Sequence, residues 1–343
     1  MFRRWRKAGL TSPTRKRLKI PESIFWWSVR LSTTWCATPP KKPLRRLLFI
    51  DIREREMLLI TDLDGTLLTS QKTISPRTRQ ALIAFRQDGG LLAACSARPV
   101  SSMVRLLRQQ QVDRLFSWCA GFNCGHLLEM AGQRIIHAAP LTATDLWNID
   151  QHISLSRYHH HFFSAEAIHH RDDRLIAHWT TYEARLFGLP LITETAENIF
   201  NRRNIYKITL VAASPEIDNL CTEVNNHLPC GYYAVVTGEN YIDIQRSDIN
   251  KGCIIEQLIH YLNISSDKVV AIGDQQNDVS MFAAAGISIA MGNAPDAVKR
   301  QAGYVTATND EEGIVHALEW LRCLTHPVTM RQRLTAAKDN ESN

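Results

Sequence analysis

A short apolar run, Met57-Leu-Leu-Ile-Thr61, ends abruptly in Asp62-Leu-Asp-Gly-Thr66. A run of this length without polar alternation predicts a strand covered on both faces, the condition of a strand inside a parallel sheet. Such a strand needs neighbours, and the chain supplies them in the same texture. Ser75 is placed to N-cap a helix with Pro76 at its first position, Leu82 and Phe85 on one face and Gly89-Gly90 at its end. Leu91-Leu-Ala-Ala-Cys95 predicts a second buried strand, ending at Ser96-Ala-Arg98. A helix over 100–110 and a third strand near Leu115–Ala120 follow. Strand and helix in alternation imply right-handed crossovers and a parallel sheet with helices on both faces.

From about residue 140 to 247 the pattern changes. Helical stretches at 142–156 and 215–228 accompany a strand at Ile205–Val211, and strands at Tyr232–Thr237 and Tyr241–Arg246 flank a turn at Gly238-Glu-Asn240. This predicts a separate α+β domain with an antiparallel sheet. The first pattern then returns. A helix at Lys251–Leu262 leads to a strand at Val269–Gly273 that delivers Asp274-Gln-Gln-Asn-Asp278. After another helix come a strand at Ile287–Met291, a short helix from Pro295, a strand at Tyr304–Thr306 and a helix over 311–323. The expected fold is α/β, a Rossmann-like parallel-sheet core over 57–138 and 248–325, split by an inserted α+β domain over 139–247.

Charge separates the first 56 residues from the rest. They hold 15 of the 40 Lys and Arg and 4 of the 34 Asp and Glu, a balance of +11, which leaves 25 basic and 30 acidic residues and −5 for everything else. The folded body is therefore mildly acidic, and a nucleic-acid role for it has no electrostatic basis. The first segment carries four of the eight tryptophans without a helical or strand period. It can be read as a nucleic-acid or membrane-surface arm, as an organelle-targeting peptide, or as upstream sequence with no folded role. We expect the third, a disordered extension over 1–56, because Met57 opens the first strand as a start codon would. The polar residues 326–343 are expected to form a frayed tail. No apolar run reaches 18 residues, so no membrane span is expected. The eight cysteines include no Cys-x-x-Cys pair and no zinc-site spacing, which fits reduced thiols in a cytoplasmic protein.

In an open parallel sheet, ligands sit beyond the carboxyl ends of the strands. Polar groups fall there in order: Asp62 and Asp64, Ser96, Lys251 at a helix start, then Asp274 and Asp278. Asp62-Leu-Asp-Gly-Thr-Leu-Leu68, Ser96-Ala-Arg98, Asn250-Lys-Gly252 and Gly273-Asp-Gln-Gln-Asn-Asp278 together resemble the four motifs of the haloacid dehalogenase-like (HAD) phosphohydrolases. The insertion between the second and third motifs resembles the cap of the Cof-type, subclass IIB, enzymes. The resemblance covers about 57–325. Ala97 stands where the family commonly has glycine, and in Phe122-Asn-Cys-Gly125 the glycine comes one residue later than in the family's Asn-Gly-Ala.

The resemblance implies a Mg²⁺-dependent phosphatase of small phosphorylated metabolites. Its chemistry suits these residue types. A carboxylate nucleophile, Asp62, divides ester hydrolysis into two steps through an aspartyl-phosphate. Asp64 protonates the leaving oxygen and then activates water. A hard dication with oxygen ligands neutralises the charge, with Asp62, the Asp64 backbone carbonyl, Asp274 and Asp278 as its ligands or water-holders. Lys251 neutralises the transferring phosphoryl group, and Leu63, Thr66, Ser96, Ala97 and Asn277 are the implied phosphate contacts. Asp62, Asp64 and Asp274 are expected to bring their charges to one point. A phosphomutase on the same scaffold and a non-catalytic phosphometabolite-binding regulator are the alternatives. The insertion is rich in histidine (His152, His159, His160, His161, His169, His170, His178), which we expect at its surface.

Overall fold

Five strands precede the insertion: β1 (Leu58–Thr61), β2 (Leu91–Cys95), β3 (Trp118–Gly121), β4 (His126–Glu129) and β5 (Arg134–Ala138). Six lie within it: β6 (His159–Ser164), β7 (Ile168–Arg171), β8 (Leu191–Glu194), β9 (Ile205–Val211), β10 (Tyr232–Gly238) and β11 (Tyr241–Arg246). Three follow: β12 (Val269–Gly273), β13 (Ile287–Ala290) and β14 (Tyr304–Val305). The helices are α1 (Pro76–Gln87) and α2 (Val100–Gln109), then α3 (Ala143–Ile153), α4 (His178–Phe187), α5 (Ala196–Phe200) and α6 (Ile217–His227) in the insertion. They end with α7 (Cys253–Leu262), α8 (Val279–Ala284), α9 (Asp296–Lys299) and α10 (Gly313–Thr325). These come from a computed structural model that describes residues 57–202, 204–212 and 216–325. The extension expected at 1–56 and the tail expected at 326–343 lie outside the described residues.

The first sheet has the order β14-β13-β12-β1-β2-β3-β4-β5, parallel from β14 to β3 and antiparallel in β4 and β5. β1 is central because it is apolar on both faces. Leu59 packs with Leu82 of α1, Met103 of α2 and Ala317 of α10, while Leu58 and Ile60 pack with Ile254 and Leu258 of α7 and Phe282 of α8. All three strand residues are fully buried. Each contributes about 1.5–3 kcal/mol by its burial, so a charged residue at position 60 would unseat the strand. The chain runs outward through β2 and β3 and returns on the other side of β1 through β12. The strand order thus reverses at β1, and Asp62 follows it directly.

The second sheet lies wholly in the insertion, in the order β10-β11-β9-β6-β7-β8, antiparallel except for β7 with β8. One face is covered by α3, α5 and α6, through Leu146, Phe200 and Val224 against Phe162, Ile208 and Ile244. The other face carries Phe163, Lys207, Thr209, Asp243 and Gln245, residues that alternate with the first set along their strands.

The histidines depart from expectation. His152, His159 and His178 are exposed, but His160, His161, His169 and His170 are buried. β6 and β7 both lie inside the sheet, so the imidazoles buried on them need partners. His161 contacts Thr180 Oγ1 at 3.0 Å and Glu183 Oε2 at 2.8 Å; His169 contacts Glu194 Oε1 at 2.7 Å and Ser164 Oγ at 2.9 Å. Among the described residues seven cysteines are free thiols, four of them buried.

Candidate active site

The motif residues converge because each leaves a strand, or enters a helix, at the same edge of the first sheet. Asp62 and Asp274 follow the adjacent parallel strands β1 and β12, and Lys251 precedes α7. Lys251 Nζ donates to Asp62 Oδ1 at 2.7 Å and to Asp278 Oδ1 at 2.6 Å. The other Asp278 oxygen accepts the Asp274 and Gln275 amides, both at 2.9 Å, so Asp278 ties the turn after β12 to the lysine. Thr66 Oγ1 donates to Asp274 Oδ1 at 2.8 Å, and Gln275 Nε2 to Asp274 Oδ2 at 2.9 Å.

Gly65 makes this closeness possible. Its φ is +79°, and a Cβ there would lie 2.5 Å from Asp274 Oδ2.

Asp62, Asp274 and Asp278 each offer a carboxylate oxygen, all within 4.8 Å of one another. Asp64 is not among them. Its carboxylate turns to Arg98, which grips both oxygens (2.5 and 2.8 Å), and to Lys72 at 2.8 Å. The three charges expected at one point are therefore supplied by Asp278 in place of the Asp64 side chain.

The electrostatics follow from burial. Burial pushes the Asp62 carboxyl up; the Lys251 charge opposes this, while Asp278 and Asp274 add to it. Burial also raises Asp274. Burial works against the Lys251 ammonium too, but Asp62 and Asp278 outweigh it and hold the group well above the usual lysine range. At Asp64 burial is overcome by hydrogen bonds and charge from Arg98 and Lys72, which bring it down to about 2.

The remaining sequence candidates surround this cluster. Ser96 is buried, and its Oγ accepts the Arg98 amide at 3.2 Å. Ala97 is half-buried between β2 and α2. The Leu63 side chain belongs to the core, so only its backbone is available to a ligand. Asn277 donates to Asn123 Oδ1 at 3.3 Å. Asn123 sits in a left-handed turn in which Phe122, Asn123 and Cys124 have φ of 53°, 54° and 79°. Three successive non-glycine residues there store strain of about 1–3 kcal/mol each. The amides of Phe122 and Asn123 hold the turn by donating to Arg98 and Ser96 carbonyls, both at 3.0 Å.

Sequence reasoning missed the partners of these groups: Lys72 and Arg98 on Asp64, and Asn293, which donates to the Gly65 carbonyl at 2.9 Å. Asn293 had a signal, since it lies just past the carboxyl end of β13, the next parallel strand.

Residues 59–318 match the family model of the haloacid dehalogenase-like hydrolases. The chain belongs to that family. Within it, this chain is a phosphoric monoester hydrolase. The 5-amino-6-(5-phospho-D-ribitylamino)uracil phosphatase YitU of Bacillus subtilis (strain 168) is 26% identical over 274 residues, 76% of this chain and 96% of that one. The pyridoxal phosphate phosphatase YbhA of Escherichia coli (strain K12) is 26% identical over 267 residues, 75% and 95% of the two chains. In fold, the chain is similar to a haloacid dehalogenase-like hydrolase from Bacteroides thetaiotaomicron, with a TM-score of 0.68, 24% identity and coverage of 78% and 99%.

Proposed function

We propose that this HAD-like phosphatase is Mg²⁺-dependent and hydrolyses small phosphorylated metabolites through an aspartyl-phosphate on Asp62. The observation that carries this reading is the buried Lys251 ammonium, which bridges Asp62 and Asp278 beside Asp274. Fully ionised, the three carboxylates would outweigh the one ammonium by two charges, which is why burial and their mutual repulsion raise Asp62 and Asp274, and the groups on offer to a cation are all oxygen. That set fits a hard dication.

Asp62, Asp274 and the Asp64 backbone carbonyl would hold Mg²⁺, which when bound neutralises the nucleophile and the phosphoryl oxygens. Asp278 gives one oxygen to Lys251 and the other to the amides of Asp274 and Gln275, so its part is to orient Lys251 and the turn, while Thr66 and Gln275 orient Asp274. Lys251 holds Asp62 Oδ1, which leaves Oδ2 to attack phosphorus. The Ser96 hydroxyl and the Ala97 amide would receive a phosphoryl oxygen. Asp64 would take a proton from the attacking water, the base form being the one its ion pairs with Arg98 and Lys72 favour; to give a proton to the leaving oxygen it would first have to be protonated against those pairs.

Residues 57–138 and 248–325 would be the catalytic core and 139–247 the cap that selects the leaving group. Sugar phosphates, pyridoxal phosphate, flavin mononucleotide and nucleotides are the substrate classes. The acidic body and the free thiols among the described residues support a cytoplasmic small-molecule enzyme without a nucleic-acid partner. Among the described residues no helix is long and apolar enough to cross a membrane. A panel of phosphate monoesters assayed with Mg²⁺ and with EDTA tests the proposal. We expect phosphate release with Mg²⁺ only; full turnover in EDTA would refute the metal requirement.

A further inference from the structure

The insertion meets the catalytic edge through a fixed hydrogen-bond chain. Asn277, in the turn between Asp274 and Asp278, donates to Asn123 Oδ1 at 3.3 Å. Asn123 Nδ2 in turn donates to Gln245 Oε1 of β11 at 2.8 Å, and Tyr233 of β10 donates to the same oxygen at 3.2 Å. Two donors on Oε1 fix which way the Gln245 amide points. Its Nε2 therefore faces away from them, and among the described residues it has no acceptor. The side chain is otherwise buried, so this is a preset pair of N–H donors two hydrogen bonds from the catalytic turn.

The same face returns to Asp64 by another route. Lys207 lies 4.3 Å from the centre of the Phe163 ring, Phe163 meets Phe187 edge-on at 5.8 Å, and Arg98 lies over Phe187 at 5.6 Å while pairing with Asp64. Gln245 and Lys207 thus share one face of the second sheet, and the contacts that lead from them end on Asn277 and Asp64 of the catalytic edge. The cations on this circuit are already matched. Lys207 pairs with Asp243 at 2.8 Å, and Thr209 donates to the second Asp243 oxygen at 2.6 Å; Arg98 and Lys72 share Asp64. Hydrogen-bonding capacity is on offer there without an uncompensated positive charge.

We propose that Gln245 is a specificity-determining residue whose amide N–H pair, aimed by Asn123 and Tyr233, receives a neutral oxygen of the leaving group. The substrates are then monophosphate esters of uncharged, hydroxylated alcohols, and esters with a second anionic group are poor ones. This deepens, and rests on, the phosphatase reading above. A site built to donate to an oxygen discriminates strongly against partners that lack it.

The test compares kcat/KM for an alditol monophosphate, the corresponding alditol bisphosphate and p-nitrophenyl phosphate, in the full-length protein with Mg²⁺. Gln245→Glu keeps the acceptor for Asn123 and Tyr233 but removes the donor pair; Gln245→Met removes both. In both variants the ratio of alditol monophosphate to aryl phosphate should fall about tenfold or more. The wild type should prefer the monophosphate to the bisphosphate. A ratio unchanged within about twofold in variants that still cleave the aryl ester overturns the assignment of Gln245. Preference of the wild type for the bisphosphate overturns the substrate class. A wild type that cleaves none of the three overturns the phosphatase reading itself.

Discussion

Replacing Lys251 by methionine removes one charge from the most crowded part of the molecule and keeps most of the volume. The lysine is 2% exposed, and its Nζ lies 2.7 Å from Asp62 and 2.6 Å from Asp278. At an effective dielectric constant near 20, each contact represents roughly 6 kcal/mol of attraction before desolvation is subtracted. Breaking a buried pair by deleting one partner costs about 3–5 kcal/mol, because the remaining charges stay buried and uncompensated. Here three carboxylates would be left within 4.8 Å of one another. At about 2–4 °C per kcal/mol, the melting temperature in EDTA should fall by roughly 6–20 °C. Added Mg²⁺ should recover more of this loss than it adds to the wild type, since the dication meets a larger excess of negative charge. Thermal melts of both proteins, with EDTA and with Mg²⁺, measure all four quantities. Equal melting temperatures in EDTA would refute the view that Lys251 neutralises this cluster in the folded protein.

Wild-type protein in Mg²⁺ at about 100 times its Kd should melt as if stabilised by about 2.7 kcal/mol, and a melt unaffected by Mg²⁺ would count against the metal site. Gly65→Ala should cost about 1–3 kcal/mol and at least tenfold in kcat, because its Cβ would meet Asp274 Oδ2 and its φ is positive; a variant with wild-type turnover would show that this approach is unimportant. Burial lowers His160 from 6.5 to about 4, the Tyr158 carbonyl opposing. The unfolded chain therefore takes up a proton at higher pH than the folded one. This contribution is intact above pH 6.5 and is lost as pH falls toward 4, about 2 kcal/mol being gone at pH 5. His160→Phe should flatten urea-measured stability between pH 6.5 and 5, and an unchanged slope would disprove the assignment.

What was legible in the chain, and what was not, follows from range. β1 and β12 announce themselves as unbroken apolar runs because both their faces are covered. Asp62, Asp274 and Lys251 were readable because the ends of such strands are where polar groups converge. β9 stood out as seven buried residues in a row. β7 and β8, four residues each, did not, since Ile168-His-His-Arg171 and Leu191-Ile-Thr-Glu194 show neither alternation nor an apolar run. The buried histidines were misread for a related reason. His161 is tolerable in the interior only through Thr180 and Glu183, and His169 through Glu194, partners 19 to 25 residues away in the chain. The direction of the Asp64 side chain was equally hidden. It depends on Arg98, 34 residues on, which is positioned by the loop between β2 and α2.

The central claim is that Asp62 carries the phosphoryl group during turnover. Acid-quenching the enzyme during steady-state hydrolysis of a radiolabelled phosphate monoester, with Mg²⁺ present, followed by peptide mapping, tests it most directly. Label should be found on the peptide bearing Asp62, and Asp62→Asn, folded but without turnover, should carry none. Label on a different residue, or labelling and turnover that persist in Asp62→Asn, would contradict it.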